Sequence, residues 1–246
     1  MRERTTGLAE LWLARHGESS ANVAADRAER TGAEAIEVEH RDADVPLSPI
    51  GAEQAGALGG WLAGQPAPDA VWSSPYLRAL DTTRIALAAA GLPDRTTIDE
   101  RLRDRELGIL DTLTARGVEA RYPLETQRRR WVGKYFYRPP GGESWADVAL
   151  RLRSALADLD ARHEGERVLI VAHDAVVRLI AHVCLGWTEE EVLAHDLSTP
   201  IPNASVTRLA HGPDGWALLD FASSEHLVAQ GAPVTEHAGD KDVDVH

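Results

Sequence analysis

The sequence predicts an α/β fold built around a mostly parallel central sheet, and three observations carry that prediction. Three times a short apolar run stops abruptly at polar or turn-forming residues that lead toward a helix. Leu11-Trp12-Leu13-Ala14 meets Arg15-His16-Gly17, Ala70-Val71-Trp72 meets Ser73-Ser74-Pro75, and Val168-Leu169-Ile170-Val171-Ala172 meets His173-Asp174. The last run is aliphatic throughout, as in a strand buried on both faces, which is the pattern of parallel sheets covered by helices. Between the runs lie stretches with apolar residues at helical spacing, long enough for the crossovers that parallel strands require.

Taken in order, Leu11–Arg15 is a strand whose end opens at a glycine. Residues 23–43 are rich in Ala, Glu, Asp and Arg with little apolar periodicity and read as a solvated insertion near the mouth of a pocket. Ser48 followed by Pro49 is an N-cap with proline at the first helical position, opening a helix through Ala55, Leu58 and Leu62. The strand at 70–72 leads into a helix carrying Arg78, Ala79, Thr82, Thr83 and Ala86. A short β-type run at 96–98 precedes the charge-dense stretch Asp99–Gly108. Residues 111–140 look helical and are strongly basic in the middle; Arg130 and Lys134, four apart, share one helix side if the helix runs through Gly133. Ser144 opens a helix through Val148, Leu152, Ala155, Leu156 and Leu159. After the strand at 167–172, a helix carries Asp174 and Arg178, Thr188 starts another, and 205–210 with 216–221 form a hairpin. From about Glu225 periodicity disappears, which predicts a disordered tail over 225–246 after a single domain spanning 1–224.

Composition narrows the function classes. A net charge of −13 argues against nucleic acid or an anionic membrane as the main partner, since both need clustered positive charge. The single cysteine, Cys184, forms no internal disulfide, and the first ten residues show no apolar targeting segment. A cytoplasmic protein acting on a small molecule is the expectation.

The chemistry is carried by residues at the strand ends, because ligands of open α/β sheets bind at that edge. Arg15 offers a fixed fork of donors matched to phosphate oxygens, and the neutral imidazole of His16 can attack phosphorus to form a phosphohistidine. Gly17 lets the backbone come close to an anion. Arg78, in the opening turns of its helix, can join Arg15 on one phosphate. His173 ends a second strand as His16 ends the first, so two parallel strands bring both histidines to one crevice.

Arg15-His16-Gly17 with Asn22 six residues after the histidine, Ser-Ser-Pro-x-x-Arg78-Ala-x-x-Thr, an acid near 104 and His173 occur in the order of the histidine phosphatase superfamily, the phosphoglycerate-mutase-like proteins, which the chain resembles over about 8–222. The resemblance implies a three-layer α/β/α fold and metal- and cofactor-free hydrolysis of a phosphomonoester through a phosphohistidine on His16. Arg15, Arg78 and His173 would bind the phosphoryl group, with Asn22 nearby. The general acid falls on Asp104, where the family usually has Glu; Glu106 and Asp174 are the second and third candidates. The stretch from Leu102 to Arg178 most resembles the fructose-2,6-bisphosphatase domain, through Lys134-Tyr135-x-Tyr137-Arg138, Gly142-Glu143-Ser144 and His173-x-Ala175-Val176-x-Arg178. By that resemblance Arg130, Lys134 and Arg178 would hold a second anionic group of the substrate, although Trp145 and Asp174 stand where that domain has tyrosine and glutamine. A phosphoglycerate-type mutase and a catalytically silent phospho-ligand binder are the alternatives.

Overall fold

The strand β1, Glu10–Arg15, alternates between two cores: Leu11 and Leu13 enter one and Trp12 and Ala14 the other. Strand β4, Arg167–Ala172, does the same with Val168 and Ile170 against Leu169 and Val171. Burial on both faces follows from the period-two geometry of a strand covered on both sides. In the computed structural model, which describes residues 7–237, one side is covered by α6 (Trp145–Arg162) and α7 (Asp174–Leu185), the other by α2 (Pro49–Ala63) and α3 (Leu77–Ala89). With β2 (Ala70–Ser73), β3 (Thr97–Ile98), β5 (Val206–Gly212) and β6 (Gly215–Ser223), the sheet order is β3-β2-β4-β1-β5-β6. The first four strands are mutually parallel, and β5 and β6 form an antiparallel hairpin on one edge. This is the expected three-layer α/β/α arrangement. The register pairs Arg15 with Ala172 and Ser73 with Val171, so His16, Ser74 and His173 emerge together at one sheet edge.

Helix α2 starts as read, with Ser48 Oγ accepting from Gly51 N and Pro49 in the first turn. Three other expectations change. Residues 20–31 form a helix, α1, bounded by a capping box at Ser19 and a left-handed Gly32; it buries only Ala28, because its apolar side consists mostly of small alanines among charged residues. The basic stretch is two short helices, α4 (Ala115–Arg121) and α5 (Pro123–Val132), and Gly133 at φ +85° ends α5. Arg130 and Lys134 therefore do not share a helix side. The tail is ordered to the last described residue: α9 (Glu225–Ala229) buries His226 and Leu227, and residues 233–237 pack beside β1 through Gln54 and Asn203. Residues 238–246 of that expected tail lie outside the described residues. Among the described residues, no helix is long and apolar enough to cross a membrane.

Candidate active site

His16 follows β1 and is 3% exposed; its backbone N–H donates to Ala172 O at 2.9 Å, and its carbonyl accepts from Asn203 Nδ2 at 3.1 Å. Its Nδ1 lies 2.7 Å from Gly17 O, an acceptor only, so Nδ1 carries the ring proton and Nε2 the lone pair. Arg78 Nε donates to that Nε2 at 3.2 Å. Burial first, then the positive Arg78, then His173 and Arg15, hold the His16 pKa well below its ordinary value of 6.5. The imidazole is thus neutral with its lone pair toward the guanidinium that a phosphate would seek. Gly17 also has a packing role. A Cβ there would come within 2.4 Å of Gly51 O, so its bareness lets α2 close on the strand end, while its N–H donates to Thr82 Oγ1.

His173, fully buried, stands edge-on to His16 with ring centroids 5.2 Å apart. Ser74 Oγ is 2.7 Å from its Nε2, and Asp104 Oδ2 is 3.3 Å from its Nδ1, which has no aligned hydrogen bond. Burial and the charges of Arg78, Arg151 and Arg15 likewise depress its pKa well below 6.5.

Arg78 is the hub. Besides His16, it donates Nη2 to Asp104 Oδ2 at 3.0 Å, and Nη1 to both the carbonyl and Oδ1 of Asp42, at 2.6 and 2.8 Å. Asp42 belongs to a short 3-10 turn, Asp42–Asp44; burial pushes its pKa up against the pull of Arg78. Two carboxylates thus occupy donors that fit phosphate oxygens. Arg15 is buried behind them: Nη1 donates to Ile201 O and lies 3.5 Å from Asp174 Oδ2, Nη2 donates to His237 O at 2.8 Å, and Nε has no partner among the described residues.

A paired-histidine, paired-arginine cluster at the end of parallel strands agrees with what a comparison of the sequence shows: the profile of the histidine phosphatase superfamily (branch 1) matches residues 11–224. The chain belongs to that superfamily. It is 33% identical over 196 residues, 78% of this chain and 88% of the relative, to a 2,3-bisphosphoglycerate-dependent phosphoglycerate mutase of Methylobacterium sp.. It is 31% identical over 183 residues to human 6-phosphofructo-2-kinase/fructose-2,6-bisphosphatase 4, covering 74% of this chain but 34% of that protein. The chain likewise spans 37% of the length of a bifunctional protein of Mycobacterium tuberculosis, at 34% identity over 56% of this chain. Among solved structures, a mycobacterial glucosyl-3-phosphoglycerate phosphatase superposes with a TM-score of 0.71 at 28% identity, over 88% of this chain and all of that one.

The remaining residues expected of a histidine phosphatase are distributed unevenly. Asn22 caps α1, its Oδ1 accepting from Ser19 N and Oγ, with Asn203 Nδ2 at 3.5 Å. Glu106 is half-exposed and accepts from Tyr76 OH at 2.9 Å; the Tyr76 ring in turn packs edge-on against His173. Asp174 lies 3.5 Å from both Arg15 and Arg178, and burial pushes its pKa up. Lys134 and Arg178 meet at Asp196, whereas Arg130 is exposed at the end of α5. Several residues close to the cluster escaped the sequence reading. Asp196, Asp42 and Asn203 sit in polar stretches without a motif. Ser74 lies inside the Arg78 motif and carries no separate signal of its own. Glu18 is buried and bound by Ser48 Oγ at 2.6 Å and His237 Nε2 at 2.8 Å. A glutamate next to Arg-His-Gly that is followed by a helix cap is the one local signal that Glu18 gives.

Proposed function

We propose that this chain is a phosphomonoesterase that acts on a small phosphorylated metabolite through a phosphohistidine on His16. The observation that carries the reading is the neutral His16 with its Nε2 lone pair facing Arg78, in a buried cluster with Arg15 and His173. A phosphate ester that replaces the carboxylates on Arg78 also removes that guanidinium from the lone pair. His16 Nε2 then attacks phosphorus, the P–O bond to the leaving group breaks, and Asp104, acting as general acid, passes a proton to the departing alkoxide. Water next attacks the phosphohistidine and delivers its proton to Asp104, so that phosphate leaves and both groups are reset. Arg15, Arg78 and His173 stabilise the charge on the transferring oxygens, which needs no metal ion. The names of structural neighbours, a glucosyl-3-phosphoglycerate phosphatase among them, support hydrolysis. The mutase relative favours a second reading, transfer of the phosphoryl group back to substrate. A single cysteine, Cys184, leaves no internal disulfide, which supports a reducing, cytoplasmic setting.

The test is turnover of p-nitrophenyl phosphate, with mass spectrometry of an alkaline-quenched reaction to find an acid-labile phosphate on His16. His16→Ala should abolish the adduct and lower turnover on the order of 10⁴-fold or more, as removal of a nucleophile does. An adduct on His173 that survives in His16→Ala would reverse the assignment. Phosphate released to water separates hydrolysis from phosphate returned to substrate.

A further inference from the structure

The flank of the phosphate site is an alternating chain of charges. Arg15 Nη1 lies 3.5 Å from Asp174 Oδ2, Asp174 Oδ1 lies 3.5 Å from Arg178 Nη2, Arg178 Nε lies 3.0 Å from Asp196 Oδ1, and Asp196 Oδ2 accepts from Lys134 Nζ at 2.7 Å. Arg178 also donates to the carbonyls of His195 and Thr199, at 3.3 and 3.0 Å, and Lys134 packs over the Trp145 ring. Asp196 keeps 16% of its side chain exposed and Asp174 18%, so the carboxylates are the more accessible members beside a 2% exposed Arg178. Lys134 and Arg178, the cations that a second anionic group would need, are thus already held by one carboxylate. Among the described residues, beyond Arg15, the positive Arg178 and Lys134 here face the negative Asp174 and Asp196.

We propose that Asp196 is a specificity-determining residue, which makes this subsite neutral and so selects the phosphate monoester of an uncharged, polyhydroxylated skeleton over a bisphosphate or a phosphorylated carboxylic acid. The inference rests on the phosphomonoesterase reading above. Hydroxyl groups both donate and accept, so they can bond the carboxylates of Asp174 and Asp196 and the donors of Arg178 and Lys134 together. A second phosphate satisfies only the cations, and it must first displace Asp196 from its hydrogen bond with Lys134 and its ion pair with Arg178 and then sit beside its charge. The preference therefore comes from a repulsive element as much as from an attractive one.

The experiment compares kcat/KM for glucose 6-phosphate, fructose 1,6-bisphosphate and 3-phosphoglycerate, with p-nitrophenyl phosphate as the activity control. The wild type should prefer glucose 6-phosphate to either doubly anionic substrate by on the order of tenfold. Asp196→Asn should raise the ratio of bisphosphate to monophosphate turnover by a similar factor, and Asp196→Glu should keep the wild-type ratio. Lys134→Gln, which removes a cation and leaves Asp196 in place, should lower that ratio further and serves if Asp196→Asn fails to fold. Wild-type preference for a doubly anionic substrate, or an unchanged ratio in Asp196→Asn, overturns the role of Asp196 while p-nitrophenyl phosphate turnover keeps the phosphatase reading intact. A wild type inactive on p-nitrophenyl phosphate overturns both.

Discussion

The two sides of the site are built by different means. His16, His173 and Ser74 each follow directly on a strand and are at most 3% exposed, with spacing inherited from the register of three neighbouring parallel strands. The carboxylates opposite them come from irregular segments: the Asp42, Asp104 and Glu106 side chains are 38%, 29% and 49% exposed. Between the two, Arg78 is buried on α3 and reaches both. A sheet edge holds the proposed nucleophile within hydrogen-bond reach of its donors without help from loops, whereas a loop can yield its place to a ligand without disturbing the core. The acid side is itself divided. The Asp104 loop is braced by Arg151, which donates to the carbonyls of Arg101 and Asp104 and pairs with Glu143, while Asp42 reaches the site from a single short turn.

The braced carboxylate should give the largest effect on this side. Asp104→Asn should slow hydrolysis of an alkyl phosphate by the 10²–10⁴-fold typical of a lost general acid, and slow that of p-nitrophenyl phosphate far less, because a good leaving group needs no proton. Steady-state kinetics on both substrates decide it. Equal losses would make Asp104 a mere partner of Arg78 and move the acid to Glu106, one side chain further out on Tyr76, or to Asp174.

The same division explains what was legible in the sequence. β1 and β4 are runs whose every residue from the second onward is buried, so their type, their direction and the two histidines at their ends could be read from hydrophobicity alone. Arg78 was legible because its motif is local. α1 was hidden because its apolar side is made of small alanines among charged residues, and Gly133 broke a helix that charge spacing alone would have continued. Residues 233–237 were hidden for a further reason: their order depends in part on partners far away in sequence, Arg15 and Glu18, 222 and 219 positions before His237, which meet it only once the sheet exists. Asp196 has the same kind of partner in Lys134, 62 residues earlier. Long-range ion pairs carry no local pattern, and the specificity side of this site is joined by them at Arg15–Asp174 and Lys134–Asp196.

The strand-end side makes a second prediction, through stability. His16 and His173 have folded pKa values well below the ordinary 6.5, so the unfolded chain takes up protons that the folded chain refuses. Their contribution is complete above about pH 6.5 and declines as pH falls below it. His182, His195 and His226, also depressed by burial, act in the same direction, while the raised Asp42 and Asp174 act in the opposite one. Tm measured from about pH 8 down to about pH 5 should fall, and His173→Asn should reduce the slope. A slope equal in the two proteins would mean that His173 titrates in the fold as it does in the unfolded chain.

The smallest effect should come from the least anchored group. Asp42 competes with substrate phosphate for Arg78, and a part-exposed charge pair of this kind is worth about 1 kcal/mol, or about fivefold in affinity. Asp42→Asn should therefore lower the inhibition constant of inorganic phosphate about fivefold, with little change in fold, since the backbone carbonyl of residue 42 still accepts from Arg78 Nη1. The pH dependence sharpens the test. Burial and the neighbouring Asp104 push the Asp42 pKa up, so acid neutralises it in the wild type and makes the wild type behave like the variant. The two inhibition constants should differ most at neutral pH and converge as pH falls. Weaker phosphate binding in Asp42→Asn would show instead that Asp42 orients Arg78 toward the ligand, and the loop side would then be as preorganised as the strand side.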